Sequence, residues 1–114
     1  MAKRFKIVSE NIKAVATGHG SCLASDAITV DGFRVGFMYR EPAENAVDSG
    51  WRFLAGNETQ EYLDDPTHLE IYDVNTVANY DSDVVPLLGL PVGSAFARAA
   101  DGRFVKEQLQ LPSD

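Results

Sequence analysis

Five side chains between residues 64 and 73 carry the oxygen and nitrogen atoms that metal ions bind. A hard cation needs several oxygen ligands at about 2.0–2.6 Å, and a transition metal would add an imidazole nitrogen. The order of these residues matches no calcium loop, and Pro66 interrupts any helix that would align Asp64 with His68. The pattern therefore favours a solvated acidic helix end, and we predict no metal and no cofactor. The five residues are Asp64, Asp65, His68, Glu70 and Asp73.

A second group with reactive atoms is the run GHGSC at residues 18–22, in which His19 stands beside Ser21 and Cys22. Nucleophilic catalysis needs a base about 3 Å from the attacking atom, a third group that orients the base, and donors for the oxyanion. Neighbours in sequence rarely supply that geometry, and Leu23 follows where a nucleophile elbow requires glycine. The glycines also lack phosphate-loop spacing, so the sequence predicts no catalytic residue and no nucleotide site.

A third group consists of Trp51, Arg52 and Tyr62 with the carboxylates near them in sequence. Tryptophan, tyrosine and arginine concentrate binding energy at interfaces. Adjacent strand residues point to opposite faces, so one of Trp51 and Arg52 faces inward and the other outward. The simpler interpretation puts Trp51 in the core and Arg52 on the surface beside acids, whereas the functional one puts Arg52 in a contact patch with exposed aromatics. The predicted partner-binding residues are Trp51, Arg52, Glu58, Glu61, Tyr62, Asp64 and Asp65.

Charge is distributed unevenly along the chain. The whole sequence has a formal charge of −7, but residues 41–83 alone hold eleven carboxylates and one arginine, a net charge of −10. Such a field repels nucleic acid phosphates and attracts a basic protein surface, so we expect a basic protein partner and no nucleic acid. The alternative is that the acids only keep a small protein soluble. The carboxylates are Glu41, Glu44, Asp48, Glu58, Glu61, Asp64, Asp65, Glu70, Asp73, Asp81 and Asp83.

Length and composition are those of one soluble globular domain: 114 residues, 45% of them hydrophobic and 24% charged. The longest apolar stretch, over residues 84–92, is broken by two prolines and a glycine, so we expect no membrane segment. The basic N-terminus lacks a continuous apolar run of the secretory type, and the single Cys22 has no partner for an internal disulfide. These features predict a cytoplasmic protein and leave its oligomeric state open.

Two signals in the first third predict local structure. Residues 9–17 suggest a short helix that Ser9 caps and Gly18 ends. Asp31-Gly32 is typical of a two-residue hairpin turn, although a helical turn over residues 26–32 followed by a single strand is a competing interpretation. The hairpin would place Ile28, Val30, Phe33, Val35, Phe37 and Tyr39 on the core face and would expose Thr29, Arg34 and Arg40.

Short strands and short helices are predicted from residue 40 onward. Asn57 followed by Gln60 resembles a capping box, and Pro66 disfavours helical geometry at Asp65. Since no strand–helix–strand rhythm repeats, we predict an α+β fold with a mainly antiparallel sheet. The predicted order is a loop (40–50), a strand (51–55), a helix (57–65), a strand (69–74), a helical turn from residue 75, an irregular segment, and an edge hairpin about Asp101-Gly102.

Four runs carry a resemblance to a known family: VGFMYREP (35–42), DSGWRFLAGNETQEYLDDP (48–66), IYDVNTVANYD (71–81) and PLLGLPVGSAFAR (86–98). In this order they are similar to a family of small bacterial proteins classed with the immunity proteins of polymorphic toxin systems. The resemblance covers about residues 22–106. It implies a small α+β domain with no established catalytic residue, which binds a toxin and blocks its active site. We therefore divide the chain into an N-terminal segment (1–21), an immunity-protein-like domain (22–108) and a tail (109–114).

Three functional hypotheses follow. The favoured one is a non-enzymatic binding protein whose acidic surface neutralises a basic toxin. The second is a small-molecule or metal-dependent enzyme or sensor built around His68 and its neighbouring acids. The third is a module that only associates with itself.

Overall fold

The chain folds into short strands and short helices, which the computed structural model describes over residues 4–108. The strands are β1 (Ser21–Ser25), β2 (Phe37–Arg40), β3 (Asp48–Leu54), β4 (Leu69–Asp73), β5 (Ala95–Arg98) and β6 (Phe104–Lys106). The α-helices are α1 (Asp26–Thr29), α2 (Gln60–Asp64) and α3 (Val74–Tyr80). Among the described residues, 3-10 segments occur at Ser9–Asn11, Pro66–His68 and Ser82–Leu87. No helix within residues 4–108 has both the length and the apolar character needed to span a bilayer.

All six strands form one sheet in the order β4-β1-β3-β2-β5-β6. The neighbours β1 and β3 run parallel, and every other neighbouring pair is antiparallel. The helices are short and lie between strands without a regular alternation. The predicted α+β fold with a mainly antiparallel sheet is therefore confirmed.

The core lies on one face of this sheet, where large side chains from β2 and β3 pack against α3 and the segment after it. Trp51 is fully buried, and its indole Nε1 donates a hydrogen bond of 3.1 Å to the carbonyl oxygen of Leu88. Burial of a tryptophan is favourable when its N–H finds such an acceptor. The fully buried side chains include Trp51, Phe53, Met38, Ile28, Val74, Val77 and Val84.

An irregularity in β3 shapes the sheet next to its centre. Ser21 of β1 is paired with Asp48 of β3, and Leu23 is paired with Arg52. An advance of two residues along β1 therefore corresponds to four residues along β3. Gly50 lies inside this bulge with a φ of +87°, a backbone conformation that L side chains rarely adopt. A Cβ atom added to Gly50 would lie 2.1 Å from the carbonyl oxygen of Glu41. Glycine is therefore required here by conformation and by space.

The predicted helix over residues 9–17 is wrong, since only Ser9–Asn11 makes a single 3-10 turn. The backbone N–H groups of Val15 and Ala16 donate to Asn75 Oδ1 at 2.7 and 2.8 Å, and that of Lys13 donates to Asn79 Oδ1 at 2.9 Å. Side chains of α3 thus take the donors that an isolated helix would have bonded internally. The segment is a strap across α3.

The predicted hairpin about Asp31-Gly32 is also wrong, and the competing helical turn is correct. Ser25 caps α1 by accepting the N–H of Ala27, and the amides of Gly32 and Phe33 donate back to Ile28 and Ala27. Gly32 has a φ of +83°, which suits the end of a helix as well as a hairpin turn. Thr29, expected at the surface, is fully buried, and its hydroxyl shares a hydrogen bond of 3.1 Å with the Tyr72 hydroxyl.

Predictions for the later elements are largely confirmed, with two corrections. Thr59, not Asn57, caps α2, because its hydroxyl accepts the N–H of Tyr62 at 3.1 Å. β3 begins at Asp48, within the predicted loop over residues 40–50. The interior strand β1, which precedes these elements, was not predicted, since its sequence SCLAS is short and rich in small residues. The strands at 51–54 and 69–73, the helix end before Pro66 and the β5–β6 hairpin at the sheet edge occur as expected.

Candidate functional site

Trp51 and Arg52, predicted as partner contacts, both lie inside the protein. Trp51 belongs to the core, and Arg52 is 4% exposed although it points to the opposite face of β3. Its guanidinium contacts Asp48 twice, at 2.9 and 2.8 Å, and Glu41 Oε2 at 2.7 Å. Neither side chain is therefore presented at the surface that the structure describes.

The other five predicted residues lie at the surface on or beside α2. Glu61, Asp64 and Asp65 are exposed, whereas Glu58 and Tyr62 are half-buried. Glu58 accepts the backbone N–H groups of Ala55 and Gly56 at 2.7 and 2.8 Å, which fixes the turn that leads from β3 toward α2. These neutral donors leave its negative charge in place. We call Glu58, Glu61, Asp64 and Asp65 the α2 acidic surface.

An aromatic pair, Tyr62 and His68, connects α2 to the 3-10 segment that follows it. The rings of Tyr62 and His68 stack with centroids 3.9 Å apart, and His68 Nδ1 donates to the Tyr62 carbonyl oxygen at 2.7 Å. Asp65 Oδ2 lies 3.8 Å from His68 Nε2, and its Oδ1 accepts the N–H of Thr67, so the carboxylate caps the 3-10 segment Pro66–His68. The stacking holds α2 against the strand that follows it.

Acids distant in sequence extend the negative field around Tyr62. Burial raises the pKa of the Tyr62 hydroxyl, and the carboxylates of Asp26, Asp31 and Glu58 raise that pKa further, against the opposing effect of a hydrogen bond with Ser25. Asp26 and Asp31 stand at the two ends of the segment that contains α1. Sequence reasoning missed them because the turn about Asp31 was assigned to a hairpin.

Not all eleven carboxylates of residues 41–83 are equally available to a partner. Glu41 and Asp48 bind Arg52, while Asp81 and Asp83 bind Arg98. Asp83 Oδ2 also lies 2.5 Å from Arg34 Nη2. These four carboxylates are compensated by cations. The sequence between Arg52 and Arg98, which includes the α2 acidic surface, contains no lysine or arginine.

Next to this surface an apolar groove of about 770 Å³ opens on the side of the sheet that faces away from the core. Phe37 and Tyr39 alternate with buried Met38 on β2, and Phe37 pairs with Leu54 on one side and Ala97 on the other. Leu63 of α2 and Phe33 form part of the walls. The half-buried side chains Phe37, Leu54, Leu63 and Ala97, together with exposed Phe33, define what we call the apolar groove.

The residues considered for metal binding do not converge. Within residues 4–108 the structure contains no group of three or more His, Cys, Asp or Glu side chains placed to hold a metal ion. Asp73 instead caps α3 by accepting the N–H of Asn75 at 2.9 Å. In the GHGSC run, Cys22 is buried in the core, and burial raises the pKa of its thiol to about 12. Such a thiol is a poor nucleophile.

Comparison with known proteins gives one result. Residues 22–108 match the family described as the Immunity protein Imm33 domain. No curated protein and no solved structure matches the chain. The matched range holds β2 to β6, all but the first residue of β1, and the three helices, together with the α2 acidic surface and the apolar groove.

Proposed function

We propose that this chain, which belongs to the Imm33 immunity protein family, binds one cognate toxin and inactivates it without catalysing a reaction. The family is one of immunity proteins, and the residues that the structure describes give stronger support to a binding surface than to a reactive centre. The toxin is the protein partner, and occlusion of its active site or of the access to that site is the mode of action.

The α2 acidic surface is the observation that carries the proposal. Glu61 and Asp64 lie on α2 and Asp65 follows it directly; all three are exposed, and Glu58 precedes the helix. Oriented carboxylates of this kind attract a basic surface from a distance and accelerate association. A toxin that acts on nucleic acid presents a basic cleft, which such carboxylates can occupy in place of phosphates.

The experiment is a binding and rescue assay with the toxin domain encoded beside the gene. The wild-type protein should bind the purified domain, abolish its toxicity on co-expression, and bind less tightly as salt rises. A triple variant, Glu61→Ser, Asp64→Ser and Asp65→Ser, should bind at least about tenfold more weakly, since removal of one partner of a charge pair across an interface weakens binding. Serine at position 65 retains an oxygen that can cap the 3-10 segment.

A matched control removes the same number of charges elsewhere. Glu10, Glu44 and Glu107 are exposed and lie outside α2, so their triple change to serine should leave affinity within about twofold of wild type. Failure of the wild-type protein to bind or rescue would refute the proposed function. Tight binding that is indifferent to salt and to the α2 changes would refute the electrostatic mechanism.

A further inference from the structure

The apolar groove continues into a second depression, lined by Ala27, Asp31, Phe33, Asn57, Glu58, Thr59 and Tyr62. Three residues, Phe33, Asn57 and Glu58, line both. The two spaces therefore adjoin at these three residues, and we call them together the composite cleft. One end is apolar, with Leu54, Phe37 and Ala97 as its floor, and the other end is acidic, with Asp31, Glu58 and the Tyr62 ring.

Phe33 stands at the junction of the two ends. Phe33 is 51% exposed, more than any other Phe, Tyr or Trp between positions 4 and 108. A large apolar side chain beside an apolar groove is the kind of exposed surface that marks interaction sites. Its position lets it contact a ligand in either end of the cleft.

Charge differs between the ends of the cleft. At the apolar end the cations Arg34 and Arg98 are compensated, because Arg34 contacts Asp83 and Arg98 contacts both Asp81 and Asp83. At the other end Glu58 binds only neutral backbone donors among its described contacts, and Asp31 and Asp26 add to the same field at Tyr62. The composite cleft is therefore mainly apolar at one end, whereas Asp31 and Glu58 place carboxylates at the other, where the stem of Lys6 lies over Gly32.

We propose that the composite cleft binds an extended segment of the partner protein in which a basic side chain stands next to an apolar one. The apolar side chain enters the groove over Leu54 and Ala97, and the basic side chain lies between Asp31 and Glu58 against the Tyr62 ring. A cation over a tyrosine face flanked by carboxylates gains from both interactions. This inference rests on the proposed function, since the segment belongs to the toxin, and it adds a specific recognition element to the α2 acidic surface.

A second copy of this chain is the occupant that the structure favours less. Its edge strand β6 does carry basic residues beside apolar ones, in the run Arg103 to Lys106. However, Phe104 lies under the Arg98 guanidinium, 4.2 Å from ring centroid to carbon, and packs against the core. The Phe104 ring is thus already engaged within its own subunit, whereas Val105 beside Lys106 is 49% exposed, so self-association is the alternative that sedimentation must exclude.

Blocked tetrapeptides test the cleft without the toxin. Leu-Arg-Leu-Arg should shift the amide resonances of Phe33, Asn57, Glu58 and Tyr62 in a titration followed by NMR, whereas Leu-Glu-Leu-Glu and Gly-Arg-Gly-Arg should shift them at least about tenfold less at equal concentration. Ala97→Phe, which fills the groove, and Asp31→Asn, which removes a charge, should each weaken the response about tenfold. Phe33→Ser is an alternative to Ala97→Phe that changes an exposed position.

Matched controls repeat each change outside the cleft. Val92→Phe adds an aromatic ring at an exposed loop position, and Asp101→Asn removes a charge while keeping the oxygen that accepts the Arg103 N–H. Both should respond to the peptide as the wild type does. Equal shifts from all three peptides, or no loss in the cleft variants, would overturn the inference.

The toxin assay separates this inference from the proposed function. If the toxin binds wild type and the cleft variants equally, the cleft is not the recognition element although the function stands. If the toxin binds neither the wild type nor any variant while the peptide response is as described, the proposed function fails, and the assignment of the segment to a toxin fails with it, although the cleft binds such peptides. Concentration-dependent dimers in sedimentation that Ala97→Phe abolishes would assign the cleft to self-association and overturn the inference.

Discussion

Arg52 and Asp48 stand four residues apart on β3, yet their side chains meet through two parallel contacts of 2.9 and 2.8 Å. In a regular strand these positions are about 13 Å apart, because each residue adds roughly 3.3 Å. The bulge at Gly50 absorbs two residues of β3 relative to β1 and shortens that separation. Glu41 completes the cluster at the side of the guanidinium. The ion pair and the bulge are therefore parts of one arrangement.

Replacement of Arg52 by methionine should destabilise the protein by about 3 kcal/mol, because it leaves the Asp48 carboxylate buried without its cation. Chemical unfolding followed by circular dichroism measures this difference. Arg103→Met, at an exposed position of the β5–β6 hairpin, is the control and should change stability by less than about 0.5 kcal/mol. Equal stability of the two variants would contradict a structural role for the Arg52 cluster.

Stability should depend on pH through Asp48. Hydrogen bonds from the Arg52 guanidinium and from the backbone of Glu44 and Gly50 hold the pKa of this carboxyl well below its usual range. The unfolded chain therefore takes up a proton before the folded one does, and the stabilisation, complete above about pH 5, is lost as pH falls through and below the ordinary pKa near 4. The difference in unfolding free energy between wild type and Asp48→Asn should shrink from pH 6 toward about pH 3. A constant difference over this interval would show that Asp48 does not titrate in this way.

Gly50→Ala should be markedly more destabilising than Gly93→Ala. Both glycines have a positive φ, +87° and +97°, so both variants bear the cost of that backbone conformation. Only at Gly50 does the new Cβ meet a backbone atom, the Glu41 carbonyl oxygen at 2.1 Å, whereas nothing lies within 4 Å at Gly93. We expect about 1 kcal/mol for Gly93→Ala and at least about twice that for Gly50→Ala in thermal or chemical unfolding. Similar losses would mean that the loop before β3 moves aside freely.

Asn75→Ala should release the strap formed by residues 13–16. The Asn75 side chain accepts two backbone N–H groups and donates to the Lys13 carbonyl oxygen at 2.8 Å. Amide exchange at Val15 and Ala16 should accelerate, and stability should fall by about 1–2 kcal/mol. Asn57→Ala is the matched control, because Asn57 is exposed and does not cap α2; it should leave both quantities nearly unchanged. Unaltered exchange at Val15 would contradict the role assigned to Asn75.

Elements with strong local signals were predictable from sequence. The alternation around Trp51 and Phe53 gave a core strand, Pro66 gave the end of α2, and Asp101-Gly102 gave the edge hairpin. These features depend on contacts within a few residues. The family resemblance over about residues 22–106 likewise agrees with the match over residues 22–108.

Features that depend on distant contacts were not predictable. Gly32 signals a positive φ but not whether that conformation ends a helix or joins two strands, and Asn75 alone does not show that its amide replaces helical hydrogen bonds sixty residues away. The burial of Arg52 depends on a bulge that brings Asp48 within reach. The composite cleft joins Phe33, Glu58 and Ala97, which come from three separate parts of the chain.

The sheet separates two kinds of positions. Residues on its helix-covered face, such as Trp51 and Met38, are fully buried, whereas Phe33 and Leu63 at the apolar groove remain partly accessible to solvent. Truncation of a large apolar side chain at a buried position lowers the free energy of unfolding by about 2–5 kcal/mol. Substitution at a partly exposed groove position lowers it much less. Mutational drift can therefore remodel the groove while the backbone stays folded, so that descendants of one ancestor acquire different recognition preferences by a few single-step changes.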